Sequence, residues 1–188
     1  MENKDTVQNN RAKTAVFDLV MTAMFSALIA VFSLISIPIG AVPVTLQTLA
    51  VCFAAGMLGL KRGIISVVIY ILLGAIGLPV FAGMTGGFGV IAGPLGGYIV
   101  GFILTAAVVG FSADRWGRRL LPLALSMAVG ILLCYAVGTA WFMTVTGRGF
   151  AESLMMCVVP FLLPDALKLA LAALLVNRLY PVIKIPKG

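Results

Sequence analysis

The sequence contains no histidine and six acidic residues, and charged residues of either sign make up only 10% of its 188 positions. Without histidine, and with three cysteines standing singly in apolar runs, it has no Cys/His cluster for a metal and no Cys-x-x-Cys redox motif. We expect Cys52, Cys134 and Cys157 to be small core residues. The chain also lacks a Gly-x-Ser-x-Gly elbow and a Walker motif, so we expect neither an enzyme nor a cofactor.

What the chain has instead is apolar surface. Hydrophobic residues make up 62% of the sequence and the mean hydropathy is +1.16, which predicts an all-α membrane protein with several transmembrane helices. Six apolar stretches are candidate spans: 16–37, 46–60, 63–78, 94–113, 120–144 and 154–179. They form one six-helix membrane domain over 15–182, between a polar tail at 1–14, expected to be flexible, and a second polar tail at 183–188.

The basic residues indicate the orientation of this bundle. With six spans, one side of the membrane carries three Lys or Arg residues in the N-terminal tail, two in the 61–62 turn, three in the 114–119 connector and three near the C-terminus. The other side carries only Arg148. By the positive-inside rule both termini are cytoplasmic, in a plasma membrane of the bacterial type. The net charge of +7 is thus a topology signal and does not indicate a nucleic-acid partner.

Three connectors then lie on the outer side. The 38–47 connector is broken by Pro and Gly and carries Thr45 and Gln47 as hydrogen-bonding side chains. The 79–94 loop has five glycines and no charge, which predicts a lid or re-entrant segment folded onto the bundle rather than a helix. An ordinary tight connector is the alternative. The third connector, 145–153, contains Arg148.

Asp165 and Lys168 stand inside the last apolar stretch, three residues apart and therefore on one face of a helix. Charges within a membrane span are costly and usually face a cavity or a partner. A carboxylate that only accepts and an ammonium that only donates suit a ligand with N–H groups beside a carbonyl, such as a cyclic urea or amide. The alternative is a buried salt bridge. If the helix restarts at Pro164, Asp165 lies in its first turn, which favours a carboxylate.

Small residues form one face of the first span, which contains Ala23, Ser26, Ala27 and Ala30. Such a face allows another helix to approach closely within the bilayer. It serves either packing within the chain or docking to a second protein.

Five stretches of the sequence resemble the BioY family, the biotin-specific S components of energy-coupling factor (ECF) transporters. They are the Ala-rich first span, 42–50 (VPVTLQTLA), 73–83 (LGAIGLPVFAG), 93–98 (GPLGGY) and 164–168 (PDALK), in order along most of the chain. Leu95 departs from the family pattern, which usually has Thr there, so no hydroxyl contact is expected from this position.

The resemblance implies a six-helix S component that captures biotin from outside and delivers it through an ATP-driven ECF transporter. It implies that Asp165 and Lys168 contact the ligand and that Ala23 and Ala27 dock on a transmembrane coupling protein. Two cytoplasmic ATPases would complete that transporter, since this chain has no ATP-binding motif. An S component for another vitamin, or a secondary transporter working alone, is the alternative.

Our chemical hypothesis assigns the remaining site residues. Asp165 accepts from the ureido N–H groups of biotin, and Lys168 donates to the ureido oxygen. The outer connectors and their flanks supply the other candidate residues, which are Thr45, Gln47, Phe81, Gly83 and Tyr98. The biotin carboxylate points outward, towards Arg148 or backbone N–H groups.

Overall fold

A computed structural model describes residues 4–37 and 42–183, with side chains from residue 13 onwards. Its elements, in chain order, are α1 (Lys4–Leu34), β1 (Ser36–Ile37), β2 (Val44–Thr45), α2 (Gln47–Leu58), α3 (Leu60–Ala75), α4 (Phe88–Ala92), α5 (Gly96–Trp116), α6 (Leu120–Thr146), α7 (Phe150–Cys157) and α8 (Val159–Ile183). The two short strands pair antiparallel, with Ser36 opposite Thr45. The predicted all-α class is confirmed; most of the 38–47 connector's Pro/Gly break lies outside the described residues.

Within the described residues, four helices are long and apolar enough to cross a membrane: Lys13–Leu34 within α1, and the helices α5, α6 and α8. The two helices between α1 and the 79–94 loop are shorter. Helix α2 has 12 residues and α3 has 16, which correspond to about 18 and 24 Å of helix against about 30 Å of hydrocarbon. The chain is therefore a multi-pass membrane protein, and the count of six spans stays a prediction.

The polar N-terminal segment is helical from Lys4 onwards, and its flexibility stays a prediction. Helix α1 begins at Lys4 and continues to Leu34. No Pro or Gly interrupts this range, so the ladder of backbone hydrogen bonds extends from the apolar span into the polar segment. The side of the membrane on which this segment lies stays a prediction.

The last apolar stretch is divided at Val158, whose φ of −123° and ψ of −55° separate α7 from α8. Helix α8 then continues through Pro160 and Pro164. Pro160 is its second residue, where a missing N–H breaks no helical bond. The helix does not restart at Pro164, so the condition for placing Asp165 in a first turn is not met: Asp165 is the seventh residue of α8, beyond the reach of the helix N-terminus.

Helix α2 lies at the centre of the bundle. Ten of its twelve residues are buried, and it packs against α1, α3, α5 and α8. A short helix that is apolar on all sides suits this position, because it has no face to expose. The three cysteines are buried and free, as predicted. The link to α3 is Gly59 alone, with φ +81°, so Lys61 and Arg62 lie in the first turn of α3 rather than in a connecting turn as predicted.

Helices α5 and α6 meet along a seam of glycines. A methyl group added at Gly101 would lie 2.8 Å from Cys134 Sγ, and one added at Gly138 would lie 2.2 Å from the ring of Tyr98. Gly97 and Gly130 are similarly close to the facing helix. These glycines therefore set the distance between the two backbones.

The loop after α3 contacts the bundle through Phe81, while its role as a lid stays a prediction. The expectation that its glycines exclude a helix is wrong, because the five-residue helix α4 (Phe88–Ala92) fits between Gly87 and Gly93. Phe81 is 2% exposed, and its ring lies 5.6 Å from that of Tyr70 in an edge-to-face arrangement. The amide of Gly87 donates to the carbonyl of Gly74 at 2.7 Å. A side chain at Gly74 would collide with the Phe81 ring, so this glycine creates the space that the loop fills.

Candidate functional site

A cavity opens at the end of the bundle that carries this loop. It encloses about 730 Å³, the open solvent at its mouth included. Its wall combines β2, the starts of α2 and α5, parts of α3 and α6, the first half of α8, and the loop after α3. The lining residues that carry polar side chains are Thr45, Gln47, Thr48, Tyr70, Thr85, Tyr98, Tyr135, Asp165 and Lys168.

Asp165 is the centre of the polar wall and is 3% exposed. Its Oδ1 accepts hydrogen bonds from Lys168 Nζ at 2.7 Å and from Thr48 Oγ1 at 3.1 Å. Its Oδ2 accepts from Tyr135 Oη at 2.5 Å. The carboxylate thus ties α8 to α2 and α6, and three of its roughly four acceptor positions are filled.

Lys168 is 7% exposed and also lines the cavity. Its ion pair with Asp165 follows from their i, i+3 spacing on α8. An ammonium has three N–H donors, and Asp165 takes one of them. The two sequence-based interpretations are therefore compatible, because the residues form a buried salt bridge that is itself part of the cavity wall.

Four of the remaining predicted residues also line the cavity: Thr45, Gln47, Phe81 and Tyr98. Gln47 Nε2 donates to Tyr70 Oη at 2.9 Å, and the Gln47 backbone N–H donates to Thr45 Oγ1 at 3.3 Å. Tyr98 Oη and Thr139 Oγ1 are 3.1 Å apart. Their polar atoms are therefore held in place before any ligand enters.

Gly83 and Arg148 are not brought to the cavity wall. Gly83, with φ +71°, lies at the tip of the turn that Phe81 and Thr85 close, and an added Cβ there would meet no neighbour within 4 Å. Arg148 is exposed, pairs with Glu152 four residues on and also contacts Met156 Sδ at 3.6 Å.

Sequence reasoning missed Thr48, Tyr70 and Tyr135. Each places a hydroxyl in an otherwise apolar helix, which was the available signal, because buried hydroxyls in such helices require partners. Thr48 directly follows Gln47 at the start of α2, and Tyr135 lies in the middle of α6. Thr48 and Tyr135 share Asp165 as a partner. Because Asp165 is far from both in the sequence, the local pattern did not indicate these contacts.

The small-residue face of α1 is divided between two environments. Ala23 and Ala27 are exposed on the outside of the bundle. Ser26 is buried and donates to the carbonyl of Ser66 in α3 at 2.8 Å. Of the two interpretations of this face, internal packing therefore applies to Ser26, whereas Ala23 and Ala27 remain available to a second protein.

Comparison with known families matches residues 4–185 to the model of the BioY family. The chain belongs to the BioY family. Among its relatives in this family are the biotin transporter BioY of Thermotoga maritima, 42% identical over 86% of this chain and 94% of the relative, and that of Rhizobium etli, 40% identical over 84% and 90%. The probable biotin transporter BioY of Pyrococcus horikoshii is 39% identical over 85% and 93%.

The fold has a close counterpart among solved structures. The crystal structure of the S component for biotin from an ECF-type ABC transporter matches with a TM-score of 0.81 and 29% identity, over 95% of each chain. Membership in the BioY family, inferred from the five sequence stretches, is confirmed. The expectation that the chain is not an enzyme agrees with its family, whose members are transport components.

Proposed function

We propose that this chain is a substrate-capture subunit that binds biotin in the cavity above α2 and passes it on through an ECF transporter. The observation that carries the proposal is the buried Asp165–Lys168 pair in the wall of an otherwise largely apolar cavity. Relatives that carry the name biotin transporter support the choice of ligand.

The ureido group of biotin fits the donors and acceptors that the pair leaves open. Lys168 has two N–H donors beyond the one given to Asp165, and the ureido oxygen accepts them. The carboxylate of Asp165 has about one acceptor position left, which takes one ureido N–H. The second ureido N–H then requires another acceptor. We assign the Oε1 atom of Gln47 to it, because the Nε2 atom of that side chain already donates to Tyr70 and Oε1 is left as an acceptor.

The rest of the ligand is apolar except for its acid group. The fused ring and the chain pack against the aromatic wall that Phe81, Phe161 and Tyr98 contribute. For the acid group we favour the backbone N–H groups of the turn from Ala82 to Thr85, whose ends line the cavity. Arg148 is the weaker candidate, since it pairs with Glu152 outside the wall.

The proposal includes the topology and the partners. We infer six spans with both termini in the cytoplasm, so the cavity opens to the outside of a bacterial plasma membrane. The exposed Ala23 and Ala27 on α1 would dock on a transmembrane coupling protein, which two cytoplasmic ATPases drive.

Binding to the purified protein tests the proposal. We expect saturable binding of labelled biotin that an excess of unlabelled biotin displaces and that other vitamins do not. Displacement by a different vitamin alone would reassign the ligand. Uptake that persists in cells lacking every ATPase partner would favour a transporter that works alone.

A further inference from the structure

Helix α1 ends beside the cavity, and its last turn contains a fully buried serine. Ser33 is 0% exposed. Its Oγ lies within hydrogen-bonding distance of two carbonyls, that of Ala30 at 2.8 Å and that of Val80 in the loop after α3, and its single proton is shared between them. Val80 directly precedes Phe81, a residue of the cavity wall.

The other contacts of this loop lead to α3, α5 and α6 or back to the loop itself, and Trp141 Nε1 of α6 donates to the carbonyl of Gly93 at 3.0 Å. Gly87 donates to Gly74 of α3, and the Phe81 ring packs on Tyr70 of the same helix. Phe81 N also donates to the carbonyl of Thr85 at 2.9 Å within the loop. Among the described residues, the bond from Ser33 is the one hydrogen bond between α1 and the loop.

Ser33 is connected to the polar wall of the cavity through the loop. Phe81, the neighbour of Val80, packs on the Tyr70 ring, and Tyr70 Oη accepts from Gln47 Nε2 at 2.9 Å. A chain of contacts therefore leads from Ser33 through Val80 and Phe81 to Tyr70 and Gln47. Since α1, the loop, α3 and α2 all contribute to it, displacement of one member disturbs the others.

We propose that Ser33 is a positioning residue that holds the loop from α1, so that Phe81 stays in the cavity wall and a bound ligand is retained. Ser33 itself lines no part of the cavity. This inference rests on the proposed function for the identity of the ligand, and it predicts an effect on ligand release rather than on ligand chemistry.

The test compares two serines of one helix. Ser26 and Ser33 are both buried, and the hydroxyl of each lies within hydrogen-bonding distance of a carbonyl of α1 and of a carbonyl of another element. Ser33→Ala is expected to raise the dissociation rate constant of biotin roughly 2- to 10-fold, the range that one hydrogen bond supplies. Ser26→Ala, whose partner Ser66 is remote from the loop, is expected to leave that rate unchanged.

Hydrogen exchange of the ligand-free protein provides a second readout. We expect the amides of Phe81 and Gly87 to exchange faster in Ser33→Ala than in wild type and at the wild-type rate in Ser26→Ala. Ser33→Cys keeps a weak donor of similar size and should lie between wild type and Ser33→Ala. It also replaces Ser33→Ala in both assays should the alanine variant fail to fold.

The two hypotheses fail in different ways. Absence of biotin binding in wild type contradicts the proposed function. In that case hydrogen exchange of the loop amides in the ligand-free protein still tests whether Ser33 positions the loop. Equal dissociation rates and equal exchange of the loop amides in Ser33→Ala and Ser26→Ala overturn the inference.

Discussion

Among the described residues, two ion pairs with a buried basic partner differ in what surrounds them. Asp18 Oδ1 and Arg62 Nη2 are 2.5 Å apart and join α1 to α3, with Asp18 still 36% exposed. Asp165 and Lys168 both belong to α8 and are at most 9% exposed. The first pair continues into a seam where Ser26 and Ser66 bond across the same helices. The second lines the cavity and takes further donors from α2 and α6.

The difference teaches that a charge within a membrane helix does not by itself mark a ligand site. Both pairs satisfy the rule that buried charges are paired. Of the two, Asp165–Lys168 is the pair that lines the cavity. Asp18–Arg62 connects two helices and lines no part of that cavity, so we assign it to stability.

The largest expected effect is on the cavity pair. Asp165→Asn and Lys168→Met should each weaken biotin binding by about 2–4 kcal/mol, roughly 30- to 1,000-fold in Kd, because each leaves one buried group without its charged partner. Titration calorimetry on folded protein measures this. Asp18→Asn is the matched control and should change Kd by less than about 2-fold. If Asp18→Asn lost as much biotin affinity as Asp165→Asn, the proposed difference between the two pairs would be wrong.

The next effect concerns the donors that hold Asp165 from other helices. Tyr135→Phe removes the hydrogen bond to Oδ2, and a bond to a charged group contributes about 1.5–3 kcal/mol, so we expect Kd to rise at least 10-fold. Tyr98→Phe makes the same chemical change at a phenol that bonds Thr139 instead. Similar affinities of the two variants would mean that Asp165 does not depend on its neighbours.

A smaller effect, on stability alone, is expected at the other pair. Arg62→Met should lower the free energy of unfolding by about 1–2 kcal/mol, less than for a fully buried pair because water already reaches Asp18. Thermal unfolding in detergent gives the shift, with the exposed Arg115→Met as the reference. Loss of biotin affinity in folded Arg62→Met would show that this pair also serves the cavity.

The smallest effect belongs to a third, exposed pair. Arg148 precedes α7 and pairs with Glu152 four residues on; both are about half exposed, and exposed pairs contribute about 0.2–1 kcal/mol. Arg148→Ala should therefore leave both the unfolding temperature and Kd nearly unchanged. A 10-fold rise in Kd would instead assign the biotin carboxylate to Arg148.

Local patterns in the sequence predicted the parts of the site that depend on local geometry. The spacing of Asp165 and Lys168 is enough to place both on one face of a helix, and the glycines of the 79–94 loop exclude a long helix there. The contacts from Thr48 and Tyr135 depend on how α2 and α6 pack beside α8, which no local pattern encodes. Why α8 continues through Pro164 is also a matter of packing rather than of propensity.

The error at Arg62 has a different physical origin. Charged residues at the end of an apolar stretch usually belong to a connector, and the interpretation of Lys61 and Arg62 as a turn followed that rule. Gly59, with its positive φ, makes the whole connection in one residue, so Arg62 enters α3 and is buried. The short lengths of α2 and α3 likewise explain why counting apolar stretches does not establish six spans.

The glycine seam between α5 and α6 has a consequence for how this protein could diversify. Tyr135 lies on α6 between Gly130 and Gly138, whose missing side chains let that helix approach α5. A methyl added at Gly138, 2.2 Å from the Tyr98 ring, would push the two helices apart and carry the phenol away from Asp165. New ligand preferences can therefore arise by mutation at sites that never touch the ligand, and libraries restricted to the cavity wall would overlook them.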